Sequence, residues 1–113
     1  MKPKLSRYIV IFPGITIIVW AKGPNEALRK AEDELTRIEQ ITRRGRDSTV
    51  AIVVKKDEEG EEIKFFIRGK EVSGKTLRNH FVKSGRERSL VNLIRRSIKS
   101  GVTLDAIKKS KLI

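Results

Sequence analysis

Arg7-Tyr8-Ile9-Val10-Ile11-Phe12, Pro13-Gly14, Ile15-Thr16-Ile17-Ile18-Val19-Trp20-Ala21 is the stretch that decides the fold. Two runs of β-branched and aromatic residues flank a two-residue turn signal, the pattern of a β-hairpin. With Pro13-Gly14 as the loop, Phe12 lies opposite Ile15, Val10 opposite Ile17 and Tyr8 opposite Val19. That face is wholly apolar. The other carries Ile9, Ile11, Thr16 and Ile18, with Arg7 paired to Trp20 at the open end. A sheet apolar on both sides needs cover on both. Pro-Gly favours a type II turn, which suits strand twist less well than the primed turns, and a slip of one residue would swap the faces.

Outward from the hairpin, Gly23-Pro24-Asn25-Glu26 is a helix start, with Gly23 as N-cap and Pro24 at the first helical position. Leu28, Ala31, Leu35, Ile38 and Ile41 form one stripe of an amphipathic helix running to about Arg44. Gly45 stops it. Thr49–Lys56 and Ile63–Arg68 form a second hairpin around the acidic tip Asp57–Glu62. That tip lacks the spacing of a calcium loop, so no metal site is expected. The remainder is helical: Thr76–Ser84, Ser89–Ser100, and a last helix capped by Thr103. The expected fold is α+β, a four-stranded antiparallel sheet of two hairpins with a long helix between them. Residues 1–72 would form a nucleic-acid-binding domain, and residues 73–113 a helical region for oligomerisation.

The chain has 113 residues, no Cys and a net charge of +12. The charge is uneven. Residues 1–68 hold 14 basic and 11 acidic residues, net +3, and residues 69–113 hold 12 basic and 3 acidic, net +9. A basic half on a small domain points first to nucleic acid, then to an anionic surface; a merely solvated surface is the plain alternative. Absence of Cys fits a reducing cytoplasm. No apolar run reaches the ~18 residues of a membrane span. The Lys/Arg/Glu/Ile-rich usage resembles that of a thermophile.

The strand Ile63–Arg68 alternates Ile63, Phe65 and Ile67 with Lys64, Phe66 and Arg68. The second set interleaves cations with an aromatic ring, the chemistry single-stranded nucleic acid asks for: bases stack on rings while cations track phosphates. Arg7, Trp20 and Lys55 are expected to share that face, and Lys22 and Lys70 are further candidates for nucleic-acid contact. The corner Arg43-Arg44-Gly45-Arg46 adds phosphate contacts beyond ordinary capping of a helix end. The bland alternative buries Phe66 under a helix.

Gly69-Lys70-Glu71-Val72-Ser73-Gly74-Lys75-Thr76 matches the Walker A pattern. A P-loop also needs a parallel sheet and a second strand supplying an Asp. The preceding strand is half of an antiparallel hairpin, and Glu87 and Asp105 are the sole acidic residues after Thr76. The match is read as chance, with Ser73 a helix N-cap. His80, the one His, stands alone in sequence and is expected at the surface. No catalytic constellation and no cofactor site emerge, so the chain is expected not to be an enzyme.

The order hairpin, long helix, hairpin, C-terminal helices resembles the ThermoDBP-related single-stranded-DNA-binding proteins of archaea. The residues that carry the likeness are Tyr8–Trp20, the corner Arg43-Arg44-Gly45-Arg46 and Lys64-Phe65-Phe66-Ile67-Arg68. The resemblance implies a single-strand binder that is not an OB-fold, with a positively charged, partly aromatic cleft and assembly outside the binding domain. The function expected is sequence-independent binding of single-stranded DNA, or RNA, by a cytoplasmic homo-oligomer, dimer or tetramer, joined through its C-terminal helices. The alternative is a transcriptional regulator whose Ser89–Ser100 and Thr103–Lys111 helices form a helix-turn-helix on duplex DNA.

Overall fold

The computed structural model describes residues 4–42, 50–57 and 60–113. The first hairpin is β1 (Ser6–Phe12) and β2 (Ile15–Ala21), followed by α1 (Pro24–Thr42), β3 (Val50–Asp57), β4 (Gly60–Ile67), β5 (Lys70–Val72), α2 (Gly74–Lys83), α3 (Glu87–Lys99) and α4 (Leu104–Lys109). The expected hairpin register is the observed one: Phe12 pairs with Ile15, Val10 with Ile17, Tyr8 with Val19 and Arg7 with Trp20. Gly14 takes φ 93°, the positive value that the second turn position of a type II loop requires.

The fold is α+β with an antiparallel sheet, but the sheet has five strands in the order β2-β1-β3-β4-β5, not four. Arg68 and Gly69 both adopt positive φ, 53° and 79°, so the chain turns back after Ile67 in a type I′ hairpin. Lys70–Val72 then pairs with Phe65–Ile67. The Walker-like octapeptide is thus a hairpin turn, an edge strand and a helix start in series, not a phosphate loop.

Each face of the sheet has its own core. On the first, Tyr8, Val10, Phe12, Ala51, Val53 and Phe66 pack beneath Ala27, Leu28, Ala31 and Leu35 of α1. On the second, Ile11, Ile52, Val54 and Phe65 pack against Leu77 and Phe81 of α2, Leu90 and Leu93 of α3, and Ile107 of α4. The division expected near residue 72 falls in the link between β5 and α2, and the parts on either side share this second core.

Side-chain caps start α2 and α4, whereas α3 begins at Glu87, two residues before Ser89, with no side-chain cap. The Thr76 amide donates to Ser73 Oγ at 3.1 Å, and the Ala106 amide donates to Thr103 Oγ1 at 3.1 Å. Gly74 serves packing. A Cβ there would lie 2.0 Å from the Ser110 carbonyl oxygen at the end of α4. Gly74→Ala is therefore expected to push α2 and α4 apart and to lower stability by about 1–3 kcal/mol, the usual cost of overpacking. A thermal melt followed by circular dichroism checks it; an unshifted melt would mean the two helix ends separate freely.

Candidate nucleic-acid interface

The helices over the second face do not reach its outer margin. α2 lies on β4 and α3 lies on β1. Strand parity puts Thr16, Ile18 and Trp20 of β2 on that same face, beside Ile11, Ile9 and Arg7 of β1. Ile18 is left 52% exposed and Trp20 57%. Burying an aromatic side chain contributes about 1.5–3 kcal/mol, so a tryptophan left this open does little for stability. Arg7, directly opposite Trp20, is exposed as well.

The inner boundary of this open margin is α3, whose sequence explains its basic side. Leu90, Leu93 and Ser97 are buried, which turns Asn92, Arg95 and Lys99 to solvent and leaves Arg96 half-buried. The Ser97 hydroxyl is satisfied within the helix, donating to the Leu93 carbonyl at 2.9 Å. At the hairpin end a depression of about 390 Å³ opens between Gly14 and α3, lined by Asn92, Arg95, Arg96 and Lys99. Among the described residues no acidic side chain pairs with these three cations. Three like charges converging beside an amide side chain and a turn glycine suit an anion such as a phosphate.

The expected single stripe of Arg7, Trp20, Lys55, Lys64, Phe66 and Arg68 is corrected. Arg7 and Trp20 do share a face, but Lys55, Lys64 and Phe66 lie on the opposite one, in register with Tyr8, Val53 and Ala51. Phe66 is 1% exposed beneath α1, so its ring has no free face for a base. Lys64 lies 3.8 Å from Glu62 and 3.5 Å from Glu71, and Glu62 pairs across the sheet with Lys55. That margin is a mixed-charge patch rather than a cationic track. Arg68 sits in the β4–β5 turn and Lys70 on the short edge strand β5, both exposed and on the far side of the sheet from Trp20. Lys22 is exposed just beyond β2. Arg43, Arg44 and Arg46 lie outside the described residues. His80 is half-buried rather than at the surface, with its ring edge-on to Phe81 at 5.8 Å.

Along the outer edge of β2 runs an open trough of about 640 Å³ whose far wall is Lys30, Glu34 and Ile38 of α1. Lys30 Nζ donates to the Trp20 carbonyl at 2.6 Å and lies 3.3 Å from Glu26. Hydrogen bonding from the Arg37 guanidinium holds the Glu34 carboxyl below its usual range.

No helix among the described residues is long and apolar enough to cross a membrane. No family model, curated protein or solved structure matches the chain.

Proposed function

We propose that the chain binds single-stranded nucleic acid, DNA in the first instance, without strong sequence preference. The strand would lie over the open margin of the sheet. Trp20 offers a ring for base stacking, Arg7 a flanking cation, and Arg95, Arg96 and Lys99 hold phosphates near the β1–β2 turn. The observation that carries the reading is the exposure of Trp20 opposite Arg7, on the side of the sheet where α3 turns out its cations. The resemblance to the archaeal single-strand binders points the same way, though the margin around Trp20 replaces the Phe66 stripe as the binding surface.

The helix-turn-helix reading has less support. α4 is six residues long, and its Ile107 is buried in the core over the sheet. Little of it is left to lie along a major groove.

Trp20→Ala tests the proposal. A stacked base is worth about 1–3 kcal/mol, so affinity for a single-stranded oligonucleotide should fall roughly 5- to 150-fold. The melting temperature should barely move, because the ring is mostly in solvent. Unchanged affinity in the folded variant would overturn the stacking role.

A further inference from the structure

The outer edge of β2 carries a second inference. The two-residue loop makes Phe12 and Ile15 the hydrogen-bonded pair that closes the hairpin. Alternation then turns the N–H and C=O groups of Ile15, Ile17, Val19 and Ala21 towards β1, and those of Thr16, Ile18 and Trp20 outwards. The Lys30 ammonium on the Trp20 carbonyl agrees with that direction.

Edges of soluble sheets are normally shielded by shortness, charge, proline or bulges. The opposite edge follows this rule: β5 is three residues long and carries Lys70 and Glu71. β2 does not. It has seven residues, none charged and none proline, and pairs with β1 without a bulge. Among the described residues only its Trp20 carbonyl is covered, by Lys30. Its outward groups are also symmetric in sequence about Ile18.

We propose that β2 pairs antiparallel with β2 of a second copy, across a two-fold axis at Ile18, joining two five-stranded sheets into one. Ile18 then lies opposite Ile18 of the second copy, and Thr16 opposite Trp20. The three outward N–H groups and three outward C=O groups of each edge find partners, the second copy's Thr16 amide taking over the Trp20 carbonyl. A bulky Trp20 side chain meets a small Thr16, and two exposed Ile18 side chains cover each other. The walls suit the same axis. Lys30 and Glu34 are one helical turn apart and opposite in sign, and two antiparallel α1 helices bring Lys30 towards the second copy's Glu34. A nucleic acid offers no strand to satisfy this edge, whereas a second copy offers the same edge reversed. If the single-strand reading holds, the two open margins become one continuous floor carrying both Trp20 rings, with an α3 along each side.

Sedimentation equilibrium on the full chain, without nucleic acid, tests the pairing. The expected mass is twice 12.9 kDa. Ile18→Lys sets like charges against each other across the axis at an exposed position and should give a folded monomer. Ile98→Lys, at an exposed site on α3, should remain a dimer. Amide exchange on the unaltered chain adds a readout free of mutation: the Thr16, Ile18 and Trp20 amides should be protected although they lie on an edge. A monomeric chain, an Ile18→Lys dimer, rapid exchange at those amides or dissociation by Ile98→Lys would each overturn the proposal, the last in favour of assembly through the C-terminal helices. Because no readout involves an oligonucleotide, a failure here leaves the single-strand reading intact. A dimer that binds no oligonucleotide sinks only that reading.

Discussion

Phe66→Ala is expected to destabilise the chain by about 3–5 kcal/mol, the usual cost of deleting a phenyl ring from a closed core. Domains of this size have only about 5–15 kcal/mol in total, so the variant should unfold at a much lower urea concentration. Phe66 sits between the sheet and α1, against a core that includes Tyr8, Val10, Ala31 and Leu35. Small Ala51, directly opposite it, leaves room for the ring and little with which to refill the hole. Single-strand affinity of the folded fraction should be unaffected, because the ring faces away from the Trp20 margin. The pair Phe66→Ala and Trp20→Ala therefore separates two roles. One should lose stability and keep binding, while the other keeps stability and loses binding. A stable Phe66→Ala variant with weakened binding would mean that α1 opens to expose that face.

Replacing Arg95, Arg96 and Lys99 together with Gln should have the larger effect on binding. Each phosphate neutralised on a single strand contributes about 0.7 to the slope of log affinity against log salt. Losing three should lower that slope by roughly 2 and weaken binding by an order of magnitude or more at low salt. The fold should survive: Arg95 and Lys99 point to solvent, and no described carboxylate depends on any of the three. Lys64→Gln is the matched comparison. Lys64 sits between Glu62 and Glu71, so the slope should hardly change. Equal effects from both changes would make the binding a response to net charge alone, with no site on α3.

The first hairpin was legible because its chemistry is local. Pro13-Gly14 sets the loop length, the loop length sets the register, and the register puts Arg7 opposite Trp20. The helix starts at Pro24, Ser73 and Thr103 were legible for the same reason, each being a property of a few adjacent residues. β5 was hidden by its turn. Arg68 adopts a left-handed conformation that its residue type rarely takes, and the strand beyond it is short and charged. The face of Phe66 was misjudged for a different reason. Period-two alternation says which residues share a face, not whether a helix covers it. Lys64 and Phe66 do share a face, but α1 covers Phe66, while Lys64 sits beside Glu62 and Glu71 at the margin. The cationic depression was out of reach as well. Arg95, Arg96 and Lys99 are plainly a solvated helix side in the sequence; that they border Gly14 depends on how three helices share one face of the sheet.

Trp20 is the only tryptophan in the chain, which makes its fluorescence a reporter of the site itself. The most direct test is a titration of the unaltered chain with matched single-stranded and duplex oligonucleotides at two salt concentrations, following that emission. The account predicts tighter binding to single strands of any sequence, quenching of Trp20 on binding, and weakening as salt rises. Binding that prefers duplex, or that leaves the emission of Trp20 unchanged, would contradict it and move the interface away from the open margin of the sheet.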